Sequence, residues 1–154
     1  MIHKRLFQDM CGDWAGECKT WFEPGVLADT SPIQGTVKSV FNEKFIRHEY
    51  SGFVNGKPRS GEETLVYNKA GEQYEAAWVD TFHMNYGILF SKGAQVGESV
   101  SVFGLYDVEP GTPRWGWRTE YFMPNVDSLV ITAFNVSPDG QEDKAVEVKY
   151  TRIK

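Results

Sequence analysis

The sequence predicts an all-β protein: about ten antiparallel strands in a meander that closes into a barrel, preceded by one short helix. Three observations predict it. Short segments of strand character follow one another along the chain after residue 12, several with clear apolar–polar alternation. Between them stand clusters of Gly, Pro, Asn and Asp, the residues that tight turns demand. Phe, Trp and Tyr, which favour strands, make up 14% of the chain. A meander this long has two exposed edges unless it closes, and closure removes both. A β-sandwich is the alternative architecture, but it would need longer crossover links than the sequence supplies.

The elements follow in order. Ile2, Leu6 and Met10 recur at four-residue steps, with Phe7 beside Leu6, so about residues 2–10 read as a helix ending before Gly12. Strands are expected at about 13–22, 33–41, 44–54, 58–68, 72–80, 86–91, 98–107, 114–123, 128–136 and 144–153. Asn55-Gly56 is the strongest short hairpin signal among the links. The segment "EPGVLADTSP" reads as the first inter-strand link and "KGAQVGE" as a turn. In the last strand Val146, Val148 and Tyr150 share one face, opposite Glu147, Lys149 and Thr151. "SLVITAFNV" is mostly apolar on both faces, which suits a strand covered on both sides. The 154 residues, 41% of them apolar, suit one domain over 1–154 with a single core.

Composition narrows the function. The net charge is −5 and Lys and Arg are scattered, singly apart from Lys4-Arg5, so no basic stripe points to nucleic acid. No run approaches the roughly 18 apolar residues that span a bilayer, so no membrane partner is expected. The opening "MIHKRLFQDMCGD" lacks the apolar stretch of a secretory signal, and the expectation is a cytoplasmic protein whose two cysteines, Cys11 and Cys18, stay reduced. No Cys-x-x-Cys pattern accompanies them, and His3, His48 and His83 share no metal-ligand spacing, so no metal is expected. No nucleophile elbow, phosphate loop or dinucleotide fingerprint is present, and no cofactor is expected. A haem would need an axial ligand; His83, Met84 and Tyr86 are available and nothing selects among them.

Two stretches resemble the lipocalin-like (calycin) superfamily, which includes the fatty-acid-binding proteins. The first strand opens Gly12-Asp13-Trp14, similar to that group's Gly-x-Trp, and the chain closes Tyr150-Thr151-Arg152. The resemblance implies that Trp14 packs under Arg152 and seals the barrel floor, a cation–π contact of roughly 0.5–2 kcal/mol. A closer similarity is to a bacterial family, the domain of unknown function 1579 family. It rests on Gly12-Asp13-Trp14-Ala15-Gly16, Glu49-Tyr50-Ser51-Gly52, Gly56, Tyr67, Tyr74 and Trp78-Val79-Asp80. The chain departs from it at Asn42-Glu43-Lys44, where the family often has Gly-Gly-Arg, and at Asn68, where it often has Asp. The resemblance implies a barrel and no particular reaction. The helical lid that fatty-acid-binding proteins insert between strands one and two has no counterpart in so short a link.

Candidate site residues come from the alternation. In 72–80, the outward charge of Glu75 turns Tyr74, Ala76, Trp78 and Asp80 inward, with Asp80 at the rim. A carboxylate there needs a partner, for which Arg118, Arg47 and His83 are candidates, or it caps a turn through backbone N–H groups. In 114–123, Trp115, Trp117, Thr119 and Tyr121 share one face and Arg118 and Glu120 the other. Inward aromatics make a π-rich cavity; the opposite facing would put Arg118 where it could hold a ligand carboxylate. In 44–54, His48 and Tyr50 are read as inward, with an inward Glu49–Arg47 pair as the alternative.

These readings lead to a protein that binds a small apolar or aromatic molecule inside a barrel. Tyr50, Tyr74, Trp78, Trp117 and Tyr121 are the expected wall, and Asp80 or Arg118 the group orienting a polar end. No residue is assigned a catalytic role. The alternative is a small isomerase, cyclase or hydrolase with Asp80 or Glu49 as base and Tyr50 or His48 as acid. A third reading is an interaction module, for which a second copy of the chain is a candidate partner.

Overall fold

A computed structural model describes residues 2–154, with side chains from Arg5 onward. The side chains of Ile2 and His3 lie outside the described residues. Helix α1 (Ile2–Asp9) precedes ten strands: β1 (Gly12–Glu23), β2 (Val26–Val40), β3 (Phe45–Val54), β4 (Lys57–Asn68), β5 (Gln73–Asp80), β6 (Leu89–Val96), β7 (Ser99–Tyr106), β8 (Trp115–Asn125), β9 (Ser128–Val136) and β10 (Glu142–Arg152). Each pairs antiparallel with the next, and β1 pairs with β10 to close the barrel. The all-β closed meander is therefore as the alternation predicts. No described helix is long and apolar enough to cross a membrane.

Two boundaries differ from the sequence reading. The expected link 23–32 is mostly strand: β2 starts right after the Pro24-Gly25 turn, and Pro32 lies within it opposite Glu17. The β3 ladder begins only at Ile33, so Pro32 sits where β2 is paired on one side alone, a place that tolerates a missing N–H. "KGAQVGE" is likewise strand up to Val96, and the turn is at Gly97, with φ of +61°. Gly93 gives the segment a turn-like composition but serves close packing, since a Cβ there would strike the Ser101 carbonyl. β6 thus moves from 86–91 to Leu89–Val96, and residues 81–88 become a loop.

The Asn55-Gly56 turn forms as expected, with φ of +51° and +77°, and it fixes the β3–β4 register. Outer apolar residues are partly covered by charged neighbours: the Arg118 guanidinium lies 4.3 Å from the Phe134 ring centre, which accounts for the two-sided apolar pattern of β9.

One end of the barrel is a closed floor. Phe7 and Met10 of the α1 segment are buried there, and Phe7 meets Tyr74 and Tyr121 edge-on at 5.1 and 5.9 Å. Trp14 is fully buried; its indole N–H donates to the Met10 carbonyl at 2.8 Å. Arg152, opposite it in register, lies 4.4 Å above its ring and donates to the carbonyls of Asp9, Cys11 and Val126. The seal implied by the family resemblance is present.

Candidate functional site

At the other end β5 stops at Asp80 and β4 and β8 begin. Inward positions follow the period of two, and β4 shows how register fixes them. The two-residue turn pairs Val54 with Lys57, so Gly52 faces Arg59, Tyr50 faces Gly61 and His48 faces Glu63. Residues directly opposite share a face, so the inward His48 and Tyr50 bring Arg59 and Glu63 inside with them. Their relative exposures are 6% for Arg59, 7% for Glu63 and 2% for His48. Neither Arg59 nor Glu63 was among the sequence candidates, because "KPRSGEETLVYN" has no clean alternation of its own. The signal was the hairpin register, read from the facing strand.

The interior polar groups form two networks. In the deeper one, His48 Nδ1 lies 2.7 Å from Glu63 Oε2, and Nε2 lies 2.9 Å from the Tyr150 hydroxyl. A carboxylate accepts, so Nδ1–H donates to Glu63, and Nε2 is hydrogen-bonded to the Tyr150 hydroxyl. Tyr121 donates to the other Glu63 oxygen at 2.6 Å. Burial, and after it the Glu63 charge, pushes the phenols of Tyr121 and Tyr150 well above their ordinary range.

The second network sits at the mouth. Asp80 is buried, and one of its oxygens accepts the backbone N–H groups of Phe82, His83 and Met84 at 2.9, 2.6 and 3.0 Å. The other accepts the Tyr50 hydroxyl at 2.8 Å, and the Tyr50 oxygen in turn accepts the Trp78 indole N–H at 2.8 Å. Asp80 therefore both caps the turn and holds the inward Tyr50, joining two roles that the sequence offered as alternatives. Burial and then the Asp80 charge raise the Tyr50 phenol well above its usual range. Gly61 makes the junction sterically open: a Cβ there would lie 2.4 Å from the Tyr50 hydroxyl and 2.3 Å from Asp80 Cβ.

Arg59 is the cation at this junction. Its Nε lies 3.4 Å from Asp80 Oδ2, with no hydrogen bond formed by that N–H, and Nη1 contacts the Cys18 sulfur at 3.7 Å. Burial opposes its charge, but Tyr50, Cys18 and Asp80 outweigh it and hold the guanidinium protonated. Asp80's expected partners are placed otherwise: His83 reaches it through its backbone amide, and Arg47 stands over the Phe41 ring at 5.5 Å.

A cavity lies between these networks. Its walls include Ile33, Ile131, Val146 and Val148, with Trp78 and Trp117 toward the mouth. It holds about 40 Å³. Trp78 and Trp117 stack at 5.3 Å, and the His83 ring rests against both, at 5.8 and 5.1 Å. Phe82 of the same loop stacks on Phe22 at 5.8 Å, so the loop crosses the mouth from β5 to the end of β1.

The structure brings Tyr50, Trp78 and Trp117 to the cavity wall, with Asp80 hydrogen-bonded to Tyr50 at the mouth. Tyr74 and Tyr121 also face inward, but nearer the floor, beside Phe7. Arg118 is separated from all of these. It lies on the outer wall, hydrogen-bonded to Glu120, Glu142 and Ser101, because the aromatic face of β8 takes the interior. Glu49 is also outside, 3.1 Å from Lys38, which removes the inward Glu49–Arg47 pair. Among the described residues no group of three His, Cys, Asp or Glu side chains could hold a metal.

The profile of the family described as "Protein of unknown function (DUF1579)" matches residues 2–152. No curated protein matches the chain significantly. Among solved structures it is similar to the S-type phycobiliprotein lyase CPES from Guillardia theta, at a TM-score of 0.63 and 13% identity, over 100% of this chain and 94% of that one. It is also similar to Rv2717c from M. tuberculosis, at a TM-score of 0.67 and 12% identity, over 97% and 96% of the two chains. At these identities the likeness shows a shared fold.

Proposed function

The chain belongs to the DUF1579 family, and on the chemistry of its cavity we propose that it binds a small, flat, largely apolar molecule inside the barrel, one end of which accepts a hydrogen bond from Arg59. The observation that carries the reading is the contrast between Arg59 and the groups around it. Glu63, His48, Tyr50 and Asp80 satisfy one another, whereas the Arg59 Nε–H is buried and makes no hydrogen bond. A buried donor without a partner is costly, and a carbonyl or carboxylate oxygen would relieve it. The apolar walls and the tryptophan rings suit the rest of such a molecule. Drug-sized ligands occupy pockets of roughly 300–1,000 Å³. A cavity of about 40 Å³ therefore favours a fragment-sized ligand, or a larger one that parts the mouth.

The same contrast weighs against acid–base catalysis. Both His48 nitrogens are engaged, Glu49 is outside, and a Tyr50 phenol raised far above its usual range is a poor proton donor at neutral pH. Titration of tryptophan fluorescence with fragment-sized aromatic carboxylates and amides tests the reading. Saturable quenching is expected for the wild type, weakened at least roughly tenfold in Arg59→Met, the loss of one charge-assisted bond. Equal affinity in the two proteins, or no saturable binding across the series, would overturn it.

A further inference from the structure

We infer that the His83 imidazole occupies the place of the ligand's ring, so that residues 81–88 act as a tethered stopper and the ring that replaces it is a small, neutral nitrogen heteroaromatic. The inference rests on interior binding as proposed above and names the ligand class. The ring lies tilted against Trp78 and Trp117, which stack on each other, with Phe82 edge-on at 4.7 Å, an aromatic niche that holds one ring. His83 fills that cleft imperfectly. Its Nδ1 is buried and has no hydrogen-bond partner. A plain apolar side chain would plug the mouth without leaving a polar atom stranded. Burial, followed by the Arg59 charge and against that of Asp80, lowers the His83 pKa to about 4, so near neutral pH the cleft holds an uncharged heterocycle.

The stopper is also mounted so that it can be exchanged as a unit. Asp80 Oδ1 holds the Phe82, His83 and Met84 amides, and the Asp80 amide donates to the Met84 carbonyl, so residues 82–84 are gathered on Asp80, while Thr81 is tied to Ser60 at the start of the loop. The other Asp80 oxygen lies in the cavity network beside Tyr50 and Arg59. A molecule that places an acceptor on Arg59 and a ring against the stacked pair of tryptophans would relieve the Arg59 donor, and its ring would take the place of the His83 ring, freeing Nδ1 from its unpaired burial.

Chemical complementation tests this. His83→Gly leaves the ring space vacant, and His83→Ala serves the same purpose with less backbone freedom. Free imidazole is the probe, followed by tryptophan fluorescence and thermal shift, with circular dichroism as the check of folding. Saturable binding is expected in both truncated variants, at least tenfold tighter than in the wild type, while His83→Phe, with the space filled, binds no better than the wild type. Equal imidazole affinity in all four proteins, or none in folded His83→Ala, would overturn the inference. If aromatic acids bind the wild type through Arg59 but imidazole does not enter the truncated variants, the stopper fails and interior binding stands. If imidazole enters them but no aromatic acid binds the wild type, the ring subsite stands and the Arg59-anchored ligand fails.

Discussion

The two ends of the barrel use the same chemistry, an arginine near tryptophan, to opposite effect. At the floor, the Arg152 guanidinium lies on the Trp14 ring and donates to three carbonyls, and the Trp14 indole has the Met10 carbonyl. At the mouth, the Trp78 indole is bonded to Tyr50, but Arg59 Nε and His83 Nδ1 are buried without hydrogen bonds. Cation and aromatic together make a seal where the guanidinium is saturated. Where it is left short of acceptors they make a candidate site. The same pair of side chains thus serves stability at the floor and leaves a buried donor open beside the cavity at the mouth.

The comparison breaks most sharply at the floor. Trp14→Ala should cost about 3–5 kcal/mol, since it empties a fully buried site and strips Arg152 of its platform. At roughly 2–4 °C per kcal/mol, thermal unfolding should shift down by about 6–20 °C. A shift of only a few degrees would mean that the floor is not the stable end. Tyr50→Phe is expected to cost less, about 1–3 kcal/mol, by orphaning the Trp78 N–H and one Asp80 oxygen. Its signature should be local, a red-shifted tryptophan emission from a loosened mouth.

Acidification sharpens the contrast without a substitution. His83 takes up its proton in the unfolded or opened loop near pH 6.5 and in the closed mouth only near 4. The closed form therefore binds fewer protons. Its advantage is complete above about pH 6.5, declines as the pH falls and is gone by about 4. Acrylamide quenching of tryptophan should rise across that window in the wild type and stay flat in His83→Phe. The smallest effect is expected on the outer wall. Arg118→Gln removes a bridge to Glu142 from a solvent-facing site, so unfolding should change by less than about 1 kcal/mol and ligand affinity not at all.

Much of this was legible in the sequence, and the gaps have physical causes. The meander, the Asn55-Gly56 hairpin, the Trp14–Arg152 seal and the inward set Tyr74, Trp78 and Asp80 could each be read from local pattern. Arg118 was ambiguous because β8 alternates aromatics with charges, and the choice is settled by packing of the aromatic face inside together with outer partners that include Glu142 of a non-adjacent strand. Arg59 and Glu63 were hidden for the converse reason. Charges on both faces of β4 left its own pattern mute, and the facing strand had to be read through the turn. Residues 86–88 read as the start of a strand because their apolar character continues into Leu89 and Phe90, whereas β6 begins only at Leu89, after a loop whose first amides Asp80 gathers.

The ring of strands is not equally laced all the way round. β6 is joined to β5 only from Tyr74–Gly93 to Trp78–Leu89, and to β7 only from Lys92–Phe103 to Val96–Ser99. Its neighbours across the cylinder, β1 and β2, run together from Gly12–Val37 to Glu23–Val26. Thermal breathing of the cylinder should therefore begin at the β6 stave, directly beneath the loop. The amides of 89–96 would then be the first in the wall to trade their hydrogens for deuterium.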